Sequence, residues 1–160
     1  MKELMPLAEK AGALLKTRGE TITVSESSTG GLISAALLAV PGASAYFKGG
    51  AVVYTRNAIL KLMNVDEERL KGHKSSEEYT LLRAQLVRER LDSTWAVSEA
   101  GTAGPTGSRY GWAAGHTFIA VSGPVERAAT IETGDADRVR NMYAFATAAL
   151  ELLVKTLEQK

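Results

Sequence analysis

Residues 25–31, SESSTGG, gather hydroxyls at Ser27, Ser28 and Thr29, a carboxylate at Glu26 and the glycine pair Gly30-Gly31. Glycines let a backbone approach a ligand closely, and a helix that follows offers unpaired N–H groups at its positive end. A phosphate or carboxylate would be held there. The same residues serve equally as a helix cap and a turn. The stretch has neither the Gly-Lys-Ser/Thr end of a P-loop nor the GxGxxG of a dinucleotide fold. Ser44 follows Pro41-Gly42 and would be a nucleophile if a base lay near it, or else a turn residue. Tyr54 ends an apolar run, and GTAGPTG (101–107) suits either wrapping a ligand or crossing a sheet. Glu26 and Glu99 both end strand-like runs, as paired acids or as satisfied polar groups. His73 and His116 are far apart with no second ligand at metal spacing, so no metal site is expected.

These groups need elements to hold them. Leu4, Leu7, Ala8, Ala11, Leu14 and Leu15 recur at helical spacing before Gly19. TITVS (21–25) reads as a strand, LISAALLAV (32–40) as a buried helix closed by Pro41-Gly42, and KGGAVVYT (48–55) as a second strand. Residues 56–72 read as one or two short helices. Ser75 and Glu78 form a capping box for a helix with Tyr79, Leu82, Leu86 and Val87 inward. TWAVSE (94–99) is a third strand, residues 100–115 a glycine-rich loop, and HTFIAVS (116–122) with VERAATIET (125–133) an antiparallel hairpin. Val139, Met142, Ala146, Ala149 and Leu153 mark a C-terminal helix. Helices interleaved with strands predict an α/β layered domain, with the hairpin at one edge. In such sheets ligands collect beyond the carboxyl ends of the parallel strands, where SESSTGG, YTRN and EAGTAGPTG should converge.

The bulk composition narrows the partners. The chain has 160 residues, enough for one sizeable core, and no repeat or linker divides it, so residues 1–160 are expected to form a single domain. A net charge of +1 gives no electrostatic case for nucleic acid or an anionic membrane. The absence of cysteine excludes a disulfide framework and fits a reducing compartment. No apolar run approaches the ~20 residues of a membrane span. The N-terminal residues lack the apolar core of a signal peptide, so a cytoplasmic location is expected.

In order and spacing, SESSTGGLISAAL, PGASAYFKGGAVVYT and AGTAGPTG resemble the CinA C-terminal domain. That competence/damage-inducible family includes nicotinamide-nucleotide amidohydrolases. The resemblance runs from about residue 5 to residue 155, and its most specific part is ES-x-TGG followed by PG-x-S and G-x-V-x-Y. It implies a three-layer α/β/α fold whose mixed, mostly parallel sheet has one antiparallel strand. It also implies hydrolysis of the carboxamide of nicotinamide mononucleotide to nicotinic acid mononucleotide and ammonia, without metal or cofactor. The family's proposed nucleophile falls on Ser44 and its motif tyrosine on Tyr54. Substrate contacts fall on Ser27, Thr29, Gly30 and Gly31, on Gly104 of the second glycine loop, and on Arg140 for the arginine that opens the last helix.

The departures are equally specific. YTRNAILKLMNV places Ile59 where the family has its catalytic lysine, and Lys61, two residues on, is the nearest replacement base. Ala100 stands for a family threonine and Trp112-Ala113 for a Lys-Pro pair. Two readings of function therefore compete. One is an amidohydrolase using Ser44, Tyr54 and Lys61; the other is a non-catalytic nucleotide- or anion-binding module of the same fold. A third, an interaction domain, would leave the glycine loops as plain turns. The expected partner is a small nucleotide-like molecule, with self-association left open.

Overall fold

The structure is a computed structural model and describes residues 1–159. α1 (Met5–Arg18) has Pro6 in its first turn, where no N–H is needed, and ends at Gly19 in the left-handed region. β1 (Ile22–Glu26) leads through the glycine turn into α2 (Leu32–Ala39), and a 3₁₀ turn at Ala43–Ala45 precedes β2 (Phe47–Val52). α3 (Arg56–Leu62), a 3₁₀ turn at Glu67–Leu70 and α4 (Glu77–Arg90) return the chain to β3 (Trp95–Thr102). β4 (His116–Ser122) and β5 (Arg127–Glu132) form the hairpin, and α5 (Arg138–Glu158) closes the fold.

The five strands lie in the order β2-β1-β3-β4-β5. β1 is parallel to β2 and to β3, while β4 is antiparallel to both β3 and β5. The single antiparallel strand is thus β4, one place in from the edge. Alternation along the strands sorts the two faces. Ile22, Val24, Trp95, Val97, Ile119 and Val121 face α1, α2 and α5, whereas Ala96 packs with Val53, Ile59, Leu70 and Val87 on the α3–α4 side. This is a three-layer α/β/α arrangement. From β1 the chain moves one way to β2 and then crosses back to β3 on the other side, so β1 is the point where strand order reverses. Crevices open at such points beyond the carboxyl ends of the strands.

Three local details differ from the sequence expectation. β3 continues through Ala100–Thr102, because Gly101 and Thr102 pair with Thr117 and His116 instead of entering a loop. The cap of α4 is Ser76, whose hydroxyl accepts the Tyr79 N–H at 3.1 Å, and not Ser75. β2 ends at Val52, leaving Tyr54 and Thr55 outside the strand, with the Thr55 hydroxyl capping α3 at the Ala58 N–H. Among the described residues no helix is long and apolar enough to cross a membrane.

Candidate functional site

The SESSTGG turn is occupied by the protein's own carboxylates. Glu26, fully buried at the end of β1, accepts hydrogen bonds at Oε2 from the N–H groups of Gly31 (2.9 Å) and Ile33 (3.0 Å). Its Oε1 accepts from the Ser34 N–H at 2.8 Å and from the Ser34 hydroxyl at 2.6 Å. The free donors at the start of α2, the natural seat for an external anion, are thereby satisfied from within. Glu99, also fully buried, accepts at Oε2 from the N–H groups of Ser27 (3.1 Å) and Thr29 (3.0 Å) and at Oε1 from the Ser28 and Thr117 hydroxyls. The Thr29 hydroxyl lies 2.8 Å from Glu26 and 3.0 Å from Glu99, so it joins the two carboxylates. Gly30 and Gly31 have φ of 65° and 103°, which only a residue without Cβ adopts freely; this lets the chain fold back over Glu26.

A cavity of about 580 Å³ opens beside this network, beyond the ends of β1, β2 and β3. Its wall takes Ser27 just past β1, Tyr54–Asn57 just past β2, His73–Ser75 and Tyr79 ahead of and on α4, and residues 100–104 and 106–110 from the end of β3 and the loop that follows it. Five cationic side chains, Arg56, Lys74, Arg83, Arg109 and Arg138, line it, and no carboxylate does. Four of these cations are exposed at the mouth, while Arg83 is only 4% exposed. Ser27, Ile59, Ala100 and Ala103 are likewise buried and form the floor with it. Arg138 donates to the Gly104 carbonyl at 2.7 Å, which ties the start of α5 to the second glycine loop. Gly104 itself has φ of 101°, and a Cβ there would stand 2.7 Å from the Ala136 carbonyl oxygen. His73 stacks on Tyr79 with ring centroids 5.9 Å apart, and Tyr54 and Tyr110 present exposed rings to the same opening. Burial raises the Tyr79 phenol above its ordinary pKa, an effect opposed by Arg83 and Arg56. Concentrated positive charge around aromatic surfaces suits a small anion that carries a flat ring.

A family model for the CinA C-terminal domain matches residues 4–157 of the chain. The chain belongs to the CinA family. Curated CinA-like proteins from Gloeobacter violaceus and Chloroherpeton thalassium are 41% identical over 130 residues and 40% identical over 159 residues. These alignments cover 80% and 96% of the chain but only 30% and 38% of the relatives, so it spans about a third of their length. A CinA superfamily protein from Klebsiella pneumoniae shares the fold with a TM-score of 0.90 at 24% identity, covering 98% of this chain and 99% of that one. The competence/damage inducible protein CihA from Agrobacterium tumefaciens superposes with a TM-score of 0.87 at 28% identity, covering 97% and 95% of the two chains.

Within this CinA domain the residues singled out by motif do not all meet. Ser27, Tyr54 and Gly104 line the cavity. Ser44 does not: it is exposed in the turn before β2, whereas Tyr54 follows β2, and six strand residues separate the two ends by about 20 Å. Lys61 is exposed and absent from the cavity wall, because two positions along α3 rotate a side chain by about 200° away from Ile59. Ile59 itself is 4% exposed and packs with Val53, Met63 and Leu70, which leaves the lysine position apolar. Thr29, Gly30 and Gly31 lie behind the cavity, committed to Glu26 and Glu99. Arg140 points outward between Asp135 and Asp137, each 3.7 Å away, and the arginine at the opening is Arg138. Trp112 is not in the wall; it stacks on His116 at 4.2 Å and meets Phe118 edge-on at 5.3 Å. Burial holds the His116 imidazole below its ordinary pKa. Arg83 and the His73-Lys74 pair were not singled out by motif.

Proposed function

We propose that this domain binds a small, ring-bearing anion of the pyridine-mononucleotide kind in the cavity beyond β1, β2 and β3. The observation that carries this reading is the wall's charge: five cations, no carboxylate, and the rings of Tyr54, Tyr79, Tyr110 and His73 beside them. A phosphate fits the exposed arginines at the mouth, and a flat ring fits between the aromatic side chains and the apolar floor. The apolar packing of Ile59 favours binding over turnover, since no amine stands at the position that would deprotonate a serine.

Carboxamide hydrolysis remains a second reading, favoured by one observation. Ser27 lies in the floor, with its N–H fixed on Glu99, so it takes the place that Ser44 cannot reach. His73 and Lys74 in the wall are of the residue types that serve in proton transfer.

One titration separates these readings. Nicotinamide mononucleotide should bind by calorimetry, and Arg138→Gln should weaken it about tenfold by removing a charge-assisted contact. Arg140→Gln should leave the affinity unchanged. Equal losses in the two variants, or no binding to the unmodified domain, would contradict the proposal. Ammonia released in the same mixture, and lost in Ser27→Ala but not in Ser44→Ala, would establish the hydrolytic reading instead.

A further inference from the structure

Arg83 is a charged side chain with unfinished bonding. It is 4% exposed on the inner face of α4, and its hydrogen bonds run only from Nη2, to the carbonyls of Glu26 (3.3 Å) and Val53 (3.1 Å). Its Nε is buried without a partner. A buried guanidinium with donors to spare is costly unless an anion completes it. The Glu99 carboxylate acts on it only through space, because both Glu99 oxygens are already taken by Ser27, Ser28, Thr29 and Thr117. Burial lowers the Arg83 pKa, an effect opposed by Glu99 and Tyr79. Arginine nevertheless stays protonated near neutrality. With Nη2 held by two carbonyls and Nε sealed in the interior, the guanidinium presents a permanent positive charge to the cavity floor from its Nη1 end.

We infer that Arg83 is a specificity residue that receives a carboxylate at the floor of the cavity, so that the preferred ligand carries two anionic groups, a planar carboxylate inside and a phosphate at the mouth. The inference rests on the proposed binding function and deepens it. A carboxylate pairs with the free Nη1 end through a charge-assisted hydrogen bond, and the neighbouring floor residues Ile59, Ala100 and Ala103 leave an apolar slot for the ring that bears it. The exposed arginines and Lys74 at the mouth suit the more strongly hydrated phosphate. A carboxamide at the same place can offer its carbonyl oxygen to the guanidinium but gains no ion pair. The site is accordingly built for the acid in preference to the amide.

The experiment compares nicotinic acid mononucleotide, nicotinamide mononucleotide and free nicotinic acid by calorimetry on the unmodified domain and on Arg83→Met. The acid nucleotide should bind at least about tenfold tighter than the amide nucleotide, a ratio that one charge-assisted pair supplies. Free nicotinic acid should bind measurably and lose its binding in Arg83→Met, which separates carboxylate recognition from phosphate recognition. In Arg83→Met the preference between the two nucleotides should disappear. Equal affinities for the two nucleotides would overturn the inference while leaving the binding function standing, and binding of neither would overturn both. The unmodified domain decides the first comparison without any variant, so poor folding of Arg83→Met does not blunt the test.

Discussion

Glu99→Ala is expected to lower the stability of the domain by about 3–5 kcal/mol, the range for breaking one side of a buried charged network. The substitution orphans the N–H groups of Ser27 and Thr29 and leaves the hydroxyls of Ser28, Thr29 and Thr117 short of their acceptor. It also removes the anion that faces the buried Arg83 guanidinium. Against a total stability of order 5–15 kcal/mol, that loss brings the domain close to unfolding at moderate temperature. A urea titration read by fluorescence should show the midpoint shifted strongly downward with an unchanged slope. An unshifted midpoint would mean that the carboxylate is a bystander. Glu99→Gln should fall between the two, because its amide nitrogen cannot accept from the backbone donors that Oε2 now serves.

The second large effect belongs to Glu26. α2 is only eight residues long, and its capping position, Gly31, has no side chain to cap it. Glu26 supplies the cap from five residues away, through the N–H groups of Gly31, Ile33 and Ser34 and the hydroxyls of Thr29 and Ser34. Glu26→Ala should therefore cost about 3 kcal/mol or more, a lost cap together with buried donors left unpaired. Circular dichroism and the urea midpoint should both report it, and a variant as stable as the parent would refute the capping role. Because the Thr29 hydroxyl has one hydrogen and two carboxylates to accept it, either single variant leaves it a partner, and the double variant Glu26→Ala/Glu99→Ala should lose more than the sum of the two single losses.

The scaffold was legible because its signals are local and periodic. Alternating Ile22 and Val24, the apolar run of α2 and the stripe of α5 each describe a buried face without tertiary information. The convergence of three loops at one sheet edge follows from topology alone. The extension of β3 was hidden because Ala100, Gly101 and Thr102 carry little strand propensity; their pairing depends on β4, which lies more than ten residues further on. The site was harder to read for a different reason. Motif position puts Ser44 and Tyr54 close together in the chain, but strand β2 between them sends them to its opposite ends. SESSTGG looks like an open anion cradle until the carboxylates of Glu26 and Glu99 are seen to fill it. Spacing cannot reveal which acid folds back. Arg83 did leave a trace: Tyr79, Arg83 and Val87 recur every four residues, so a cation stands in an apolar stripe of α4. Arg138 and Arg140 are two residues apart in sequence, and only the turn of the helix decides which meets the cavity.

The proposed function requires the ligand to enter the cation-lined cavity and not the hydroxyl-glycine turn or the Ser44 turn. The most direct test is to follow backbone amide shifts by NMR while titrating the domain with nicotinic acid mononucleotide. Binding in the cavity should give the largest changes at Tyr54–Asn57, His73–Tyr79 and Gly101–Tyr110, with Ala43–Tyr46 and the exposed face around Arg140 unmoved. Changes centred on residues 43–46, or none along the cavity wall, would contradict it.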